Sequence, residues 1–357
     1  MVGTALSLHD HGYYLFQHSG DLLFVISDSG LKLFCMKRFL LSWFAALLAL
    51  GPAHAQPERI PADPEKGFAF PYILTIPENV GGHDPLVLVV ETNNTGPQND
   101  FQETVSATLD EAGGRGLGPM LSRHMGLPFL MPVFPRTRID GNVYTHALDR
   151  DTLLIRDEKR ERLDLQLLAM VEDARLRLRE RGLSPAERFL MVGFSASGSF
   201  SNRFAFLHPE HLIAVVSGGI NAFPMLPVSE VAGDAFPFPL GTADLAEISC
   251  SPFNHESWKV LPQLIFMGAD DANDAIKFDD AYSARERALI FKHLGEPMHQ
   301  RWLNAQSFYL RKSPRVTFIT YGNLGHWITR QVGLDIVNFI AHVLDDLPEG
   351  KPHPSGS

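Results

Sequence analysis

The chain is 357 residues long and 45% hydrophobic, with 41 acidic against 31 basic residues and a formal net charge of −10. The length suits one large globular domain, and the acidity argues against a protein that grips polyanions. No nucleic-acid partner and no docking on an anionic membrane are expected, because no basic stripe relieves the charge.

At the N-terminal end, Met36-Lys37-Arg38 is followed by an apolar stretch from Phe39 to Leu50 and then by Ala53-His54-Ala55. These are the basic, apolar and small-residue parts of a secretory signal, with cleavage expected after Ala55. The apolar stretch is shorter than the ~20 residues that span a bilayer, so no membrane anchor is expected after cleavage. The mature protein is expected in the periplasm or the medium. A signal begins where translation begins, so residues 1–35 read as an extension ahead of a true start at Met36. The alternative is a genuine but unusual leader. Asp10, Asp21 and Asp28 balance Lys32, Lys37 and Arg38, which leaves the whole net charge on residues 56–357. Of the two cysteines, Cys35 and Cys250, cleavage would leave only Cys250, which is expected to be a buried small residue and can form no internal disulfide.

Pro85 to Val90 (P-L-V-L-V-V) is a short apolar run that stops at the polar turn Glu91-Thr92-Asn93-Asn94-Thr95-Gly96. Leu163, Leu167, Met170, Val171, Ala174 and Leu178 then share one face of an amphipathic helix, which Gly182 ends. Arg188 to Gly198 (R-F-L-M-V-G-F-S-A-S-G) carries the strongest signal in the chain. Its apolar half reads as a fully buried strand, and its small residues crowd into a turn that would lift the Ser195 hydroxyl above the sheet edge at the start of a helix. The match is G-x-S-x-S-G, so Ser197 stands where the usual pattern has glycine and offers a second nucleophile in a shifted frame. The bland alternative is a strand-to-helix turn without chemistry.

Leu212 to Val216 is a further apolar run. Asn221 to Pro262 is rich in proline and aromatic residues and too broken for a long helix. It reads as a lid over the site, with Phe223, Phe236, Phe238 and Trp258 ready to bind an acyl chain or a ring. The alternative is a packed loop whose rings complete the core. Gln263 to Gly268 (Q-L-I-F-M-G) reads as a strand that runs into Ala269-Asp270-Asp271-Ala272-Asn273-Asp274. Arg315 to Tyr321 alternates apolar and polar residues like a strand and runs into Gly322-Asn323-Leu324-Gly325-His326-Trp327. Ile336, Val337, Ile340, Val343 and Leu344 mark the core face of a last helix. The Pro-, Gly- and Ser-rich residues 347–357 are expected to be disordered. His208, His211, His293 and His299 sit on helices or at their ends without a metal-ligand spacing, and no metal is expected.

Serine, acid and histidine in that order, each just past the C-terminal end of a predicted strand, resemble the α/β-hydrolase superfamily over about residues 70–344. Within it the chain looks most like secreted esterases related to polyester depolymerases and feruloyl esterases. The resemblance implies a mostly parallel sheet flanked by helices over residues 56–346, with the lid at about 221–262. It makes Ser195 the nucleophile, Asp271 of the G-x-x-D turn the acid and His326 the general base. Asp270 and Asp274 compete for the acid's role, and Asp274 could instead cap the next helix. The oxyanion hole is expected to use the backbone N–H of Ala196 and that of Asn94 or Thr95, although the H-G motif frequent in this loop is missing.

The implied chemistry is hydrolysis of a small or polymeric carboxylic ester through an acyl-enzyme, with no cofactor. A serine peptidase of the prolyl-oligopeptidase kind shares the triad order, but the residues after Gln56 leave no room for its usual propeller. A silent hydrolase fold that only binds a ligand is the third reading. Natural substrate and oligomeric state are not legible.

Overall fold

The computed structural model describes residues 56–347 other than 83, 95, 115, 137–146, 158, 279–280 and 314, together with four strands within residues 5–34. The expected signal at 36–55, the tail from 348 onward and Thr95 lie outside the described residues. The chain divides into two units, residues 1–54 and 55–357. In the first, Ala5–Ser7, Tyr14–His18, Leu22–Ser27 and Gly30–Phe34 pair in sequence as an antiparallel meander.

The second unit is built on eight strands: β1 (Glu58–Ile60), β2 (Tyr72–Thr75), β3 (Val89–Val90), β4 (Phe129–Pro132), β5 (Phe189–Phe194), β6 (Leu212–Gly218), β7 (Gln263–Gly268) and β8 (Val316–Tyr321). Their spatial order is β8-β7-β6-β5-β3-β4-β2-β1. The six strands from β8 to β4 run parallel, and β2 and β1 close the far edge antiparallel. Strands in such a sheet are covered on both faces, so their apolar residues run on without alternating; β6 and β7 are buried along their whole length.

Helices cover both faces. α1 (Phe101–Gly113), α2 (Leu117–Met125) and α10 (Arg330–Asp345) share one apolar cluster with the sheet. α3 (Arg150–Leu154), α4 (Leu163–Glu180), α5 (Ala196–Leu207) and α9 (Met298–Leu310) share the other. The stripe from Leu163 to Leu178 is buried as its periodicity requires, and Gly182 follows the helix with φ of 76°. Each such aliphatic side chain contributes roughly 1.5–3 kcal/mol of burial, so this face alone secures the crossover. The apolar run at 85–90 forms less strand than its composition suggests. Leu86 is clamped by Ser184 and Ala186 in a single bridge, and only Val89 and Val90 join the ladder.

Residues 221–262 hold a small hairpin, Glu230–Val231 with Asp234–Ala235, and two short helices, α6 (Leu245–Ser249) and α7 (His255–Val260). The expectation that their aromatic residues form a substrate lid is corrected. Phe223 is 3% exposed, and Phe236, Phe238 and Trp258 are fully buried. Trp258 packs on Phe206 of α5 at 5.0 Å and Tyr309 of α9 at 5.5 Å between ring centroids. Phe223 and Phe236 join a separate cluster with α8 (Ala284–Leu294) and α9. Too broken to bury themselves in one long helix, these pieces bury their rings against neighbours, where each removes up to ~200 Å² from water. Cys250 also departs from expectation. It is exposed, with φ of 58°, at the end of α6.

Candidate active site

The parallel register lines up the C-terminal ends of the strands: Phe194 lies beside Gly218, and Gly268 beside Tyr321. The residues that leave those ends build the site. Ser195 follows β5 with φ of 62° and ψ of −126°, a strained conformation for a residue with a side chain. Its N–H donates to Gly218 O at 2.9 Å, and α5 starts at the next residue. The turn tolerates no bulk: a Cβ on Gly193 would lie 2.1 Å from the Ser197 carbonyl oxygen. Ser197 is fully buried, and its hydroxyl donates to Phe194 O at 2.8 Å while accepting from Phe194 N–H at 2.9 Å. The second serine is therefore spent on holding the elbow.

Asp271 leaves β7 and His326 leaves the loop after β8. His326 Nδ1 lies 2.8 Å from Asp271 Oδ2. A carboxylate only accepts, so the proton of the neutral ring sits on Nδ1 and Nε2 presents its lone pair. Asp271 is held in turn by the Asn273 N–H, which donates to Oδ1 at 2.9 Å. The imidazole rests against the Phe194 ring, with centroids 4.7 Å apart, over Gly219, which has φ of 55°. Asn273 Nδ2 completes the group: it donates to His326 Nε2 at 3.0 Å and to Ser195 Oγ at 3.5 Å. One amide nitrogen thus stands within reach of both the serine and the ring.

The competing acid is engaged elsewhere. Asp274 Oδ1 accepts from Ile276 N–H, and its Oδ2 pairs with the buried Arg301 at 2.7 Å. Its position is that of a helix cap and ion-pair partner, not of a base-orienting acid. Asp270 contributes its N–H to Leu324 O, which joins the acid turn to the histidine loop.

For an oxyanion, the N–H of Ala196 opens a twelve-residue helix, where the helix dipole favours negative charge. The expected Asn94 backbone donor is corrected. That N–H donates to both carboxylate oxygens of Glu111, at 2.9 and 3.1 Å, and the Asn94 side chain donates to Phe194 O at 3.3 Å. Behind this loop, Glu91 accepts from Gly118 N–H at 2.7 Å in a nearly dry site, and burial pushes its carboxyl up to about 8. Burial likewise raises Glu111 to about 7.

Sequence reasoning missed Asn273, Phe194, Glu91 and Glu111. Asn273 lies within the acid turn, and its place two residues after Asp271 is the available signal. Among the described residues no cluster of histidine, cysteine or acidic side chains could hold a metal ion, and no helix is long and apolar enough to cross a membrane.

Comparison with solved structures finds similar folds. Poly(aspartic acid) hydrolase-1 from Sphingomonas sp. KT-1 aligns over 80% of this chain and 98% of its own, with a TM-score of 0.52 and 13% identity. A poly(3-hydroxybutyrate) depolymerase from Bordetella parapertussis aligns over 85% and 95%, with a TM-score of 0.48 and 16% identity. Comparison with family models and with curated proteins finds no match.

Proposed function

We propose that this chain, which has the α/β-hydrolase fold, is a serine hydrolase that cleaves carboxylic esters through an acyl-enzyme. The observation that carries the reading is an imidazole anchored through Nδ1 on a buried carboxylate, with its Nε2 and a strained serine sharing one hydrogen-bond donor. In the reaction Ser195 Oγ attacks the ester carbonyl while His326 Nε2 takes its proton. Asp271 keeps the ring in the required tautomer and stabilises the imidazolium. Ala196 N–H steadies the negative oxygen of the tetrahedral intermediate. Collapse expels the alcohol with the proton from Nε2, and water, activated by the same nitrogen, then releases the acid.

A fluorophosphonate probe tests this directly. It should label the protein, fail on Ser195→Ala and persist on Ser197→Ala. Absence of labelling on the parent protein would reverse the reading in favour of a binding-only fold. Turnover of p-nitrophenyl esters should far exceed that of peptide anilides, and the opposite ranking would make the enzyme a peptidase. The segment 36–55 supports export with cleavage after Ala55. An N-terminal residue other than Gln56 on secreted material would refute that part.

A further inference from the structure

Building on the serine-hydrolase reading, we infer that Asn273 is a further catalytic residue, one that holds the base and the nucleophile apart until substrate displaces it. Its Nδ2 donates to His326 Nε2 at 3.0 Å, which is the lone pair that must receive the serine proton. The same nitrogen reaches Ser195 Oγ at 3.5 Å. An acceptor lone pair filled by an amide N–H is closed to the Ser195 hydroxyl, so the resting serine is not activated.

The orientation of the amide follows from the rest of the site. With Nδ1–H committed to Asp271, Nε2 is an acceptor, so of the two amide atoms of Asn273 the nitrogen, not the oxygen, faces it. Two features fit a side chain that moves. Asn273 is exposed at the rim. Its backbone is pinned independently, because its N–H donates to Asp271 Oδ1 at 2.9 Å, so the amide can swing out without disturbing the acid turn. A bound ester has a carbonyl oxygen that accepts the released N–H, and the serine proton then finds Nε2 open.

The test is the second-order rate of phosphonylation by a small fluorophosphonate. In that step the Ser195 Oγ–P bond forms, the P–F bond breaks, fluoride leaves and the proton passes to Nε2. A probe this small fills little of the site and leaves the amide in place, so removing the amide should accelerate it. Asn273→Ala should react roughly two- to tenfold faster than the parent, the factor carried by one neutral hydrogen bond. Asn273→Asp should react more slowly, because a carboxylate cannot donate to Nε2 and favours a charged ring that takes no proton. Opposite signs from two substitutions at one exposed position are not produced by a merely structural side chain. A ¹⁵N resonance of Nε2 that moves in Asn273→Ala, without a change in melting temperature, would support the contact itself. An Asn273→Ala rate equal to or below the parent's overturns the inference. If the parent protein is not labelled at all, the serine-hydrolase reading fails instead, so the two failures are distinguishable.

Discussion

Glu91 offers the sharpest test of how the loop beside the site is supported. The side chain is 4% exposed, and burial holds its carboxyl at about 8 against an ordinary 4.5. The folded state therefore keeps a proton that the unfolded chain releases between those values. The stability contributed by this one group is full below pH 4.5, falls as pH rises toward 8, and is level above it. With each tenfold step in the proton equilibrium worth ~1.4 kcal/mol, the loss between pH 5 and pH 8 comes to about 3–4 kcal/mol. Glu91→Gln keeps an oxygen for Gly118 N–H and removes the titration. Urea denaturation followed by tryptophan fluorescence, with both proteins at pH 5 and pH 8, should show the variant gaining about 3 kcal/mol on the parent over that span. Equal gains at the two pH values, within about 0.5 kcal/mol, would mean that the buried carboxyl does not hold its proton and that the reasoning is wrong.

Four further substitutions probe the assignments around the site. Asp271→Asn should lower kcat by roughly 10⁴ through loss of the correct tautomer, whereas Asp274→Asn should leave kcat within a fewfold and cost about 2–3 kcal/mol in a thermal melt, since it strands the Arg301 charge. The reverse pattern would exchange their roles. Trp258→Ala should destabilise by about 3–5 kcal/mol while KM for p-nitrophenyl esters stays put, and a large change in KM at unchanged stability would restore the lid. Gly219→Ala places a methyl group 2.7 Å from the Phe194 ring and 3.1 Å from His326 Cε1 at φ of 55°. It should cost about 2 kcal/mol and depress kcat more than it changes KM, because the imidazole is pushed off its seat. Unaltered kcat would show that the ring is not positioned from below.

The parts of the molecule legible from residue order are those whose pattern is local. The elbow at 188–198, the strands at 263–268 and 316–321 and the helical stripe from Leu163 to Leu178 each state their geometry within a few residues. β1, β2 and β4 did not, because Glu58–Ile60, Tyr72–Thr75 and Phe129–Pro132 are three or four residues long and owe their conformation to partners far away in the chain. The same distinction explains the aromatic segment. Periodicity shows that Phe236 and Trp258 are apolar, but only the position of α5, α8 and α9 decides whether they face a ligand or a neighbour. The Asn94 donor failed for a related reason: Glu111, seventeen residues on, accepts from that N–H, and nothing near Asn94 announces it.

The three chemical groups do not share one mechanical fate. Ser195 hangs from a strand gripped by neighbours on both sides, whereas His326 follows β8, which among the described residues pairs on one side alone. Fraying of that outer border under heat or mild urea would carry off the imidazole while the alcohol stayed seated in an intact interior. Lost turnover should then precede lost structure, and chilling should bring it back.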